Sequence, residues 1–128
     1  MLTVLVVDDE PHVVELVRVT LEDTHVRVVA ALDGEIALRL AEMLRPDLVL
    51  LDVHLPGVDG LGVCRRLRGD DRFAATRIVM LTAAAQADDV ARGLAAGADE
   101  YLTKPFSPVR LLTLVEKLVP RRTAWLRG

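Results

Sequence analysis

Asp52 closes the apolar run Leu48 to Leu51, and Pro56 and Gly57 follow close behind it. A run of that kind ended by turn formers reads as a strand buried on both faces, so the acid is carried to the strand's carboxyl end. Ligands of open α/β sheets bind at that rim, although an acid there can equally cap the turn that follows. Asp8 and Asp9 stand in the same relation to the run Leu2 to Val7, and taken alone they could cap a helix starting at Pro11. Thr82 follows Arg77 to Leu81, and Lys104 follows Glu100 to Thr103. Parallel strands would deliver all of these to one edge. Three crowded carboxylates repel, and without a cation at least one should have a raised pKa. Mg2+ suits such a place, because it takes one or two carboxylates, keeps several waters and favours a phosphate oxygen. Lys104 would add a point charge for the phosphate and Thr82 a hydroxyl donor. An acid able to act as nucleophile, a divalent cation and a lysine are the parts for phosphoryl transfer onto a carboxylate.

The rest of the chain supplies elements to hold them. From Pro11 to about Glu22, Val13, Val14, Leu16, Val17 and Leu21 share one broad face, with Glu15, Arg18 and Glu22 opposite, the pattern of a helix covering a sheet. Residues 26–31 form a second strand. Asp33-Gly34 opens a helix that carries Ile36, Ala37, Leu40, Ala41 and Leu44 inward until Pro46 ends it. Val58 to Arg68 reads as a third helix, and Gln86 to Ala96 as a fourth, stopped by Gly97. The fourth is alanine-rich and contains Gly93, so it should be among the less firmly packed elements. Ser107 and Pro108 open a fifth, closed by Pro120. Five strand-helix alternations with short connections imply an α/β fold, a parallel sheet wrapped on both faces by helices with right-handed crossovers.

A chain of 128 residues, 52% hydrophobic, suits one domain that buries roughly two thirds of its unfolded surface. The net charge is −3, and three of the 16 basic residues, Arg121, Arg122 and Arg127, fall in the last nine positions. Residues 1–119, taken as the domain, thus hold 13 basic groups against 19 acids, which argues against direct nucleic-acid binding by it. Residues 120–128 form a basic tail or the start of a linker. The single cysteine, Cys64, lies in an amphipathic run and reads as core, fitting a reducing cytoplasm. No apolar run reaches membrane-spanning length, and no secretory leader is visible, so a cytoplasmic protein without membrane contact is expected. His12 and His25 have no partner in a ligand spacing.

Taken together, Asp8-Asp9-Glu10-Pro11, Asp52 with Leu55-Pro56-Gly57 and Asp59-Gly60, Leu81-Thr82-Ala83, Gly97-Ala98-Asp99-Glu100-Tyr101 and Lys104-Pro105-Phe106 resemble the receiver domain of two-component response regulators. Each motif is weak alone, but all of them in this order over residues 2–119 are specific. The resemblance implies a flavodoxin-like (βα)5 doubly wound fold with strand order 2-1-3-4-5. It makes Asp52 the phosphoacceptor, supplied by a sensor histidine kinase, a phosphotransfer protein or a small phosphodonor. Asp9 and Asp52 would bind Mg2+ directly with the backbone carbonyl of His54, and Asp8 mainly through water. Lys104 would pair with the phosphoryl group across a cis bond to Pro105. Thr82 would move toward that group and Tyr101 would turn into the space it leaves, switching the face formed by the fourth helix, fifth strand and fifth helix. The His54 side chain would hang over the entrance and tune dephosphorylation, and Ala84 would leave the other side open.

Two rival readings are a haloacid-dehalogenase-type phosphatase and a receiver-like module that binds partners without phosphorylation. The first needs Asp-x-Asp after its first strand, where this chain has Asp52-Val53-His54 after its third. The second usually loses the Asp, the acidic pair or the Lys, and all are present. An effector or a homodimer is expected on the switching face. Many winged-helix DNA-binding regulators dimerise there through ion pairs, but Arg110 and Leu114 replace two of the charges that pattern needs. These departures point to a stand-alone receiver or another effector class. Arg92 and Arg110 are placed on or near that face, read first as solvated charges.

Overall fold

The computed structural model describes residues 1–83 and 87–119. Five strands, β1 (Leu2–Val7), β2 (Val26–Ala31), β3 (Leu48–Asp52), β4 (Arg77–Ala83) and β5 (Glu100–Lys104), form one sheet in the order β2-β1-β3-β4-β5. Every pairing is parallel, and the register sets Val7 beside Leu51, Asp52 beside Leu81 and Thr82 beside Thr103. The helices are α1 (Pro11–Leu21), α2 (Gly34–Leu44), α3 (Gly60–Arg68), α4 (Ala87–Ala95) and α5 (Pro108–Leu118), with a 3-10 turn at Asp71–Phe73. The expected topology is thus the observed one. Gln86 and the tail from Pro120 onward lie outside the described residues, as does Ala84.

The continuous apolar runs are explained by burial on both faces. Residues at even positions of β1, such as Val4 and Val6, join Val13, Val17, Leu111 and Val115 of α1 and α5 in one core. Leu5, Val7, Val49 and Leu51 face the other way, into a core with Ala37 and Ala41 of α2 and with Val63, Cys64 and Leu67 of α3. Cys64 is fully buried there, and burial pushes its thiol above the ordinary range, so it is packing rather than chemistry.

The element ends depart from the sequence reading for local reasons. α3 starts at Gly60 rather than Val58, because the Asp59 carboxylate accepts from the Gly62 N–H at 2.8 Å and caps the helix. β4 runs on through Thr82 and Ala83, and β5 through Lys104, since the two strands remain paired that far. Ile36 is not carried inward: it is 40% exposed, because α2 rests on its smallest residues, Gly34, Ala37 and Ala41, which bring the helix too close for a larger side chain. Leu40 and Leu44 flank that seam and are only half-buried.

Two side-chain devices finish the frame. Arg68 donates to the carbonyls of Gly97, Phe73 and Thr76 and to Asp99 Oδ2, and that same oxygen accepts from the Ile78 N–H. One guanidinium thereby joins α3 to the starts of β4 and β5. On the outer edge of β2, Asp23 and Val26 exchange backbone hydrogen bonds. One step along, Glu22 accepts from the Val28 N–H at 3.2 Å while Arg18 donates to the Val28 carbonyl at 2.9 Å.

A third cluster is purely electrostatic. Arg72 donates to both carboxylate oxygens of Asp70 and to Glu42, and the Arg72 guanidinium holds the Asp70 carboxyl down at about 2. An acid with a lowered folded pKa adds stability above its unfolded value, near 3.8, and that stability is lost as pH falls toward 2. Arg72→Ala should raise the Asp70 titration toward the ordinary carboxylate range but not fully to it, because the backbone N–H of residue 72 still donates to Asp70 Oδ1, read by a carbon-detected NMR titration.

Candidate functional site

The sheet brings its strand ends together as the parallel arrangement requires. Lys104, the last residue of β5, reaches back so that its Nζ lies 2.7 Å from Asp8 Oδ2, 3.1 Å from Asp52 Oδ2 and 3.1 Å from Glu10 Oε1. Its side chain is 17% exposed, that of Asp8 is wholly buried and that of Asp52 nearly so. The Lys104-Pro105 bond is cis. Asp8 also performs the turn role that a strand-end acid can have, since its Oδ1 accepts from the Glu10 N–H at 2.9 Å. In the same way Asp52 Oδ1 accepts from the His54 N–H at 3.0 Å. Turn capping and site chemistry are thus carried by opposite oxygens of the same carboxylates.

Electrostatics follow from this crowding. Burial raises the Asp8 carboxyl above its ordinary value, although Lys104 and the Glu10 N–H pull the other way. Glu10 is held below the carboxylate range by Lys104. Burial would lower the Lys104 ammonium, yet its three carboxylate partners together outweigh that and keep it firmly protonated.

Asp8, Asp9, Glu10 and Asp52 each offer a carboxylate oxygen within 4.8 Å of the others. Three of these four acids share the Lys104 ammonium. Asp8 Oδ2 is fully buried, and its close partner is that ammonium at 2.7 Å. Four clustered carboxylates beside one ammonium form an excess of acidic oxygens that fits a hard divalent cation.

The other expected residues take separate places. Thr82 is buried at the end of β4, and its hydroxyl makes only a long contact to the Ala83 carbonyl at 3.5 Å. Tyr101 is 38% exposed on β5, outside the acidic cluster. His12, given no chemistry by its spacing, pairs with Glu10 at 3.2 Å on the surface. Beside Lys104 a cleft of about 370 Å3 is lined by Glu10, His12, Val13, Leu16, Pro105 and Phe106. On the opposite side of β5, Tyr101, Arg110 and Leu114 border a shallow groove, so the two departures from the dimer pattern lie on that face.

Two participants are not evident from the sequence pattern. Glu10 belongs to the acidic turn, yet its reach to Lys104 depends on how α1 enters. Asp89, in the first turn of α4, has a side chain only 3% exposed; its Oδ2 lies 3.0 Å from His54 Nε2 and its Oδ1 accepts from Arg92 at 3.0 Å. Arg92 is therefore a partnered charge and not merely a solvated one. Among the described residues, no helix is long and apolar enough to cross a membrane.

The sequence matches the family model described as the response regulator receiver domain over residues 4–116. It is 45% identical over 118 residues to the DNA-binding dual master transcriptional regulator RpaA of a Synechocystis strain, covering 92% of this chain and 49% of that protein. The chain spans about half the length of the curated relatives it matches. Among solved structures, it is similar to a putative response regulator from Chloroflexus aurantiacus, with a TM-score of 0.87 and 36% identity over 92% of this chain and 97% of that one. The chemotaxis protein CheY4 of Vibrio cholerae is also similar, with a TM-score of 0.84 and 34% identity over 92% of this chain and 98% of that one. With the sheet order, the strand-end acids and the match over nearly the whole domain in agreement, the chain belongs to the response regulator receiver family of two-component systems.

Proposed function

We propose that Asp52 accepts a phosphoryl group from the phosphohistidine of a partner histidine kinase, a phosphotransfer protein or a small phosphodonor. The observation that carries this is the pairing of Asp52 Oδ2 with Lys104 at 3.1 Å within the cluster of Asp8, Asp9 and Glu10. A carboxylate oxygen of Asp52 forms the new P–O bond as the P–N bond to the donor imidazole breaks, and the imidazole keeps the electron pair. Lys104 moves from its carboxylate partners to the arriving phosphoryl oxygens, a shift for which its charge is already secured. Asp8, Asp9, Asp52 and the His54 carbonyl are the groups to hold Mg2+, which when bound supplies positive charge against the phosphoryl oxygens.

Thr82 sits one residue past the strand partner of Asp52, with a hydroxyl only loosely held, and is the group to follow the phosphoryl oxygen. Tyr101 has its ring half outside and follows Thr82, which carries the change to α4, β5 and α5. The same site hydrolyses the acyl phosphate in time, so the chain catalyses its own reset without being a dedicated enzyme. The relatives named as DNA-binding regulators are about twice as long as this chain, and the output of the segment here is contact of the α4-β5-α5 face with a partner.

Intact mass after incubation with acetyl phosphate and Mg2+ tests the reading. One added phosphoryl group is expected, labile to hydroxylamine, located in the peptide holding Asp52, and absent when EDTA removes the metal. No added mass with acetyl phosphate or a phosphorylated kinase would leave an interaction module acting without phosphorylation.

A further inference from the structure

One buried acid is left over by the phosphoryl chemistry. Asp89 is enclosed and met from two sides: by Arg92, one turn along its own helix, and by His54, 35 residues away in the loop after β3. Burying a carboxylate is costly unless its oxygens are hydrogen-bonded, and each oxygen here has its own partner. His54 is doubly held as well. Its N–H is on Asp52 Oδ1 and its ring on Asp89, although 74% of its side chain faces water. A continuous hydrogen-bonded path therefore runs from the phosphoacceptor carboxylate through one residue to the first turn of α4.

The position of this bridge gives it leverage. β3 and β4 are neighbours, and the bridge joins the loop following one to the helix following the other, past the strand end that carries Thr82. Among the described residues, α4 offers few large apolar anchors. Three of its nine residues are alanine, Leu94 is 45% exposed, and its buried Gly93 lies so close to Met80 that an added Cβ would come within 2.8 Å of it. A helix held by small residues depends more on a single polar tether than one anchored by large apolar side chains.

We propose that Asp89 is a positioning residue: it holds the His54 ring and so docks the first turn of α4 onto the loop that carries Asp52. One hydrogen bond then governs both how readily α4 opens and how freely water reaches the entrance beside Asp52. The second part rests on the phosphoryl chemistry proposed above; the first does not.

The test is a double-mutant cycle of Asp89→Ala and His54→Ala on the full chain, with two readouts. Amide hydrogen exchange of residues 87–95 without phosphodonor should rise roughly three- to ten-fold in either single variant, the loss of one hydrogen bond, and no further in the double. The lifetime of the acetyl-phosphate-derived phosphoprotein should shorten by a similar factor, again without additivity, while Asp89→Ala takes up the phosphoryl group at the parent rate. Asp89→Asn, whose amide oxygen still accepts from Nε2–H, should keep exchange slow, whereas Asp89→Leu, which fills the volume without an acceptor, should exchange as fast as Asp89→Ala, which loss of helix packing alone would not predict. Additive effects in the cycle, or α4 exchange unmoved by His54→Ala, would overturn the tether. If the parent chain takes up no phosphoryl group, the phosphoryl chemistry fails and the exchange cycle alone decides the proposal.

Discussion

Asp52→Asn is expected to take up no phosphoryl group from any donor while folding about as stably as the parent chain. The amide oxygen of asparagine is a far weaker nucleophile than a carboxylate and would leave an unstable adduct, so uptake should vanish rather than slow. Stability behaves differently because Asp52 is one of three acids paired with a single ammonium. Asp52 adds to the repulsion that raises the Asp8 carboxyl, so removing its charge should let Asp8 titrate lower. Lys104 retains Asp8 and Glu10, and the asparagine Oδ1 can still accept from the His54 N–H. Loss of one Lys104 contact is offset by relief of like charge, and the net change should stay within about 1 kcal/mol. Intact mass and a thermal melt on the same sample check both halves. A phosphoryl group found on the variant would move the acceptor to Asp8 or Asp9.

Gly60→Ala should be the most damaging small change near the site. A Cβ at this first residue of α3 would stand 2.0 Å from the Asp52 carbonyl oxygen and 2.9 Å from Val53 Cα, both backbone atoms that cannot rotate away. The Gly60 N–H also donates to the Val53 carbonyl at 3.1 Å, which holds the helix start against the strand end. Relief requires moving α3 off β3, at a cost of roughly 3 kcal/mol or more, larger than ordinary overpacking because backbone is struck. Urea denaturation measures it, and the carbonyl involved belongs to Asp52, the proposed phosphoacceptor. The folded fraction of the variant should therefore also take up phosphoryl more slowly, whereas a loss below about 1 kcal/mol would mean that α3 yields easily.

β1, β3 and β4 were legible because parallel strands covered on both faces leave nearly uninterrupted apolar runs, and a candidate site residue stands directly behind each of the three, with Lys104 behind the more polar β5. Asp8, Asp52 and Lys104 meet for that reason alone. What failed to show is anything that depends on which side of a helix lies closest to the sheet. Ile36 looked like core by spacing, yet the small seam of Gly34, Ala37 and Ala41 decides how α2 sits. Asp89 looked like an ordinary acid favouring a helix's positive end. It is buried with its two oxygens met by His54 and Arg92, and neither spacing nor composition encodes that. Glu10 is intermediate: its acidity was visible, its 94-residue reach to Lys104 was not.

The sealed edge of β2 has a consequence for how the molecule can associate. Two successive outward-facing residues of that strand, Val26 and Val28, have their amide and carbonyl groups already spoken for by Asp23, Glu22 and Arg18. A foreign strand arriving there would find the ladder groups of Val26 and Val28 taken, with only Ala30 at the strand's far end to extend from. The β2 edge is therefore a poor template, which favours strand addition at the flank of β5. That is the flank where Tyr101 stands and where the output is proposed to act, so signalling and any strand-mediated self-association would compete for the same ground.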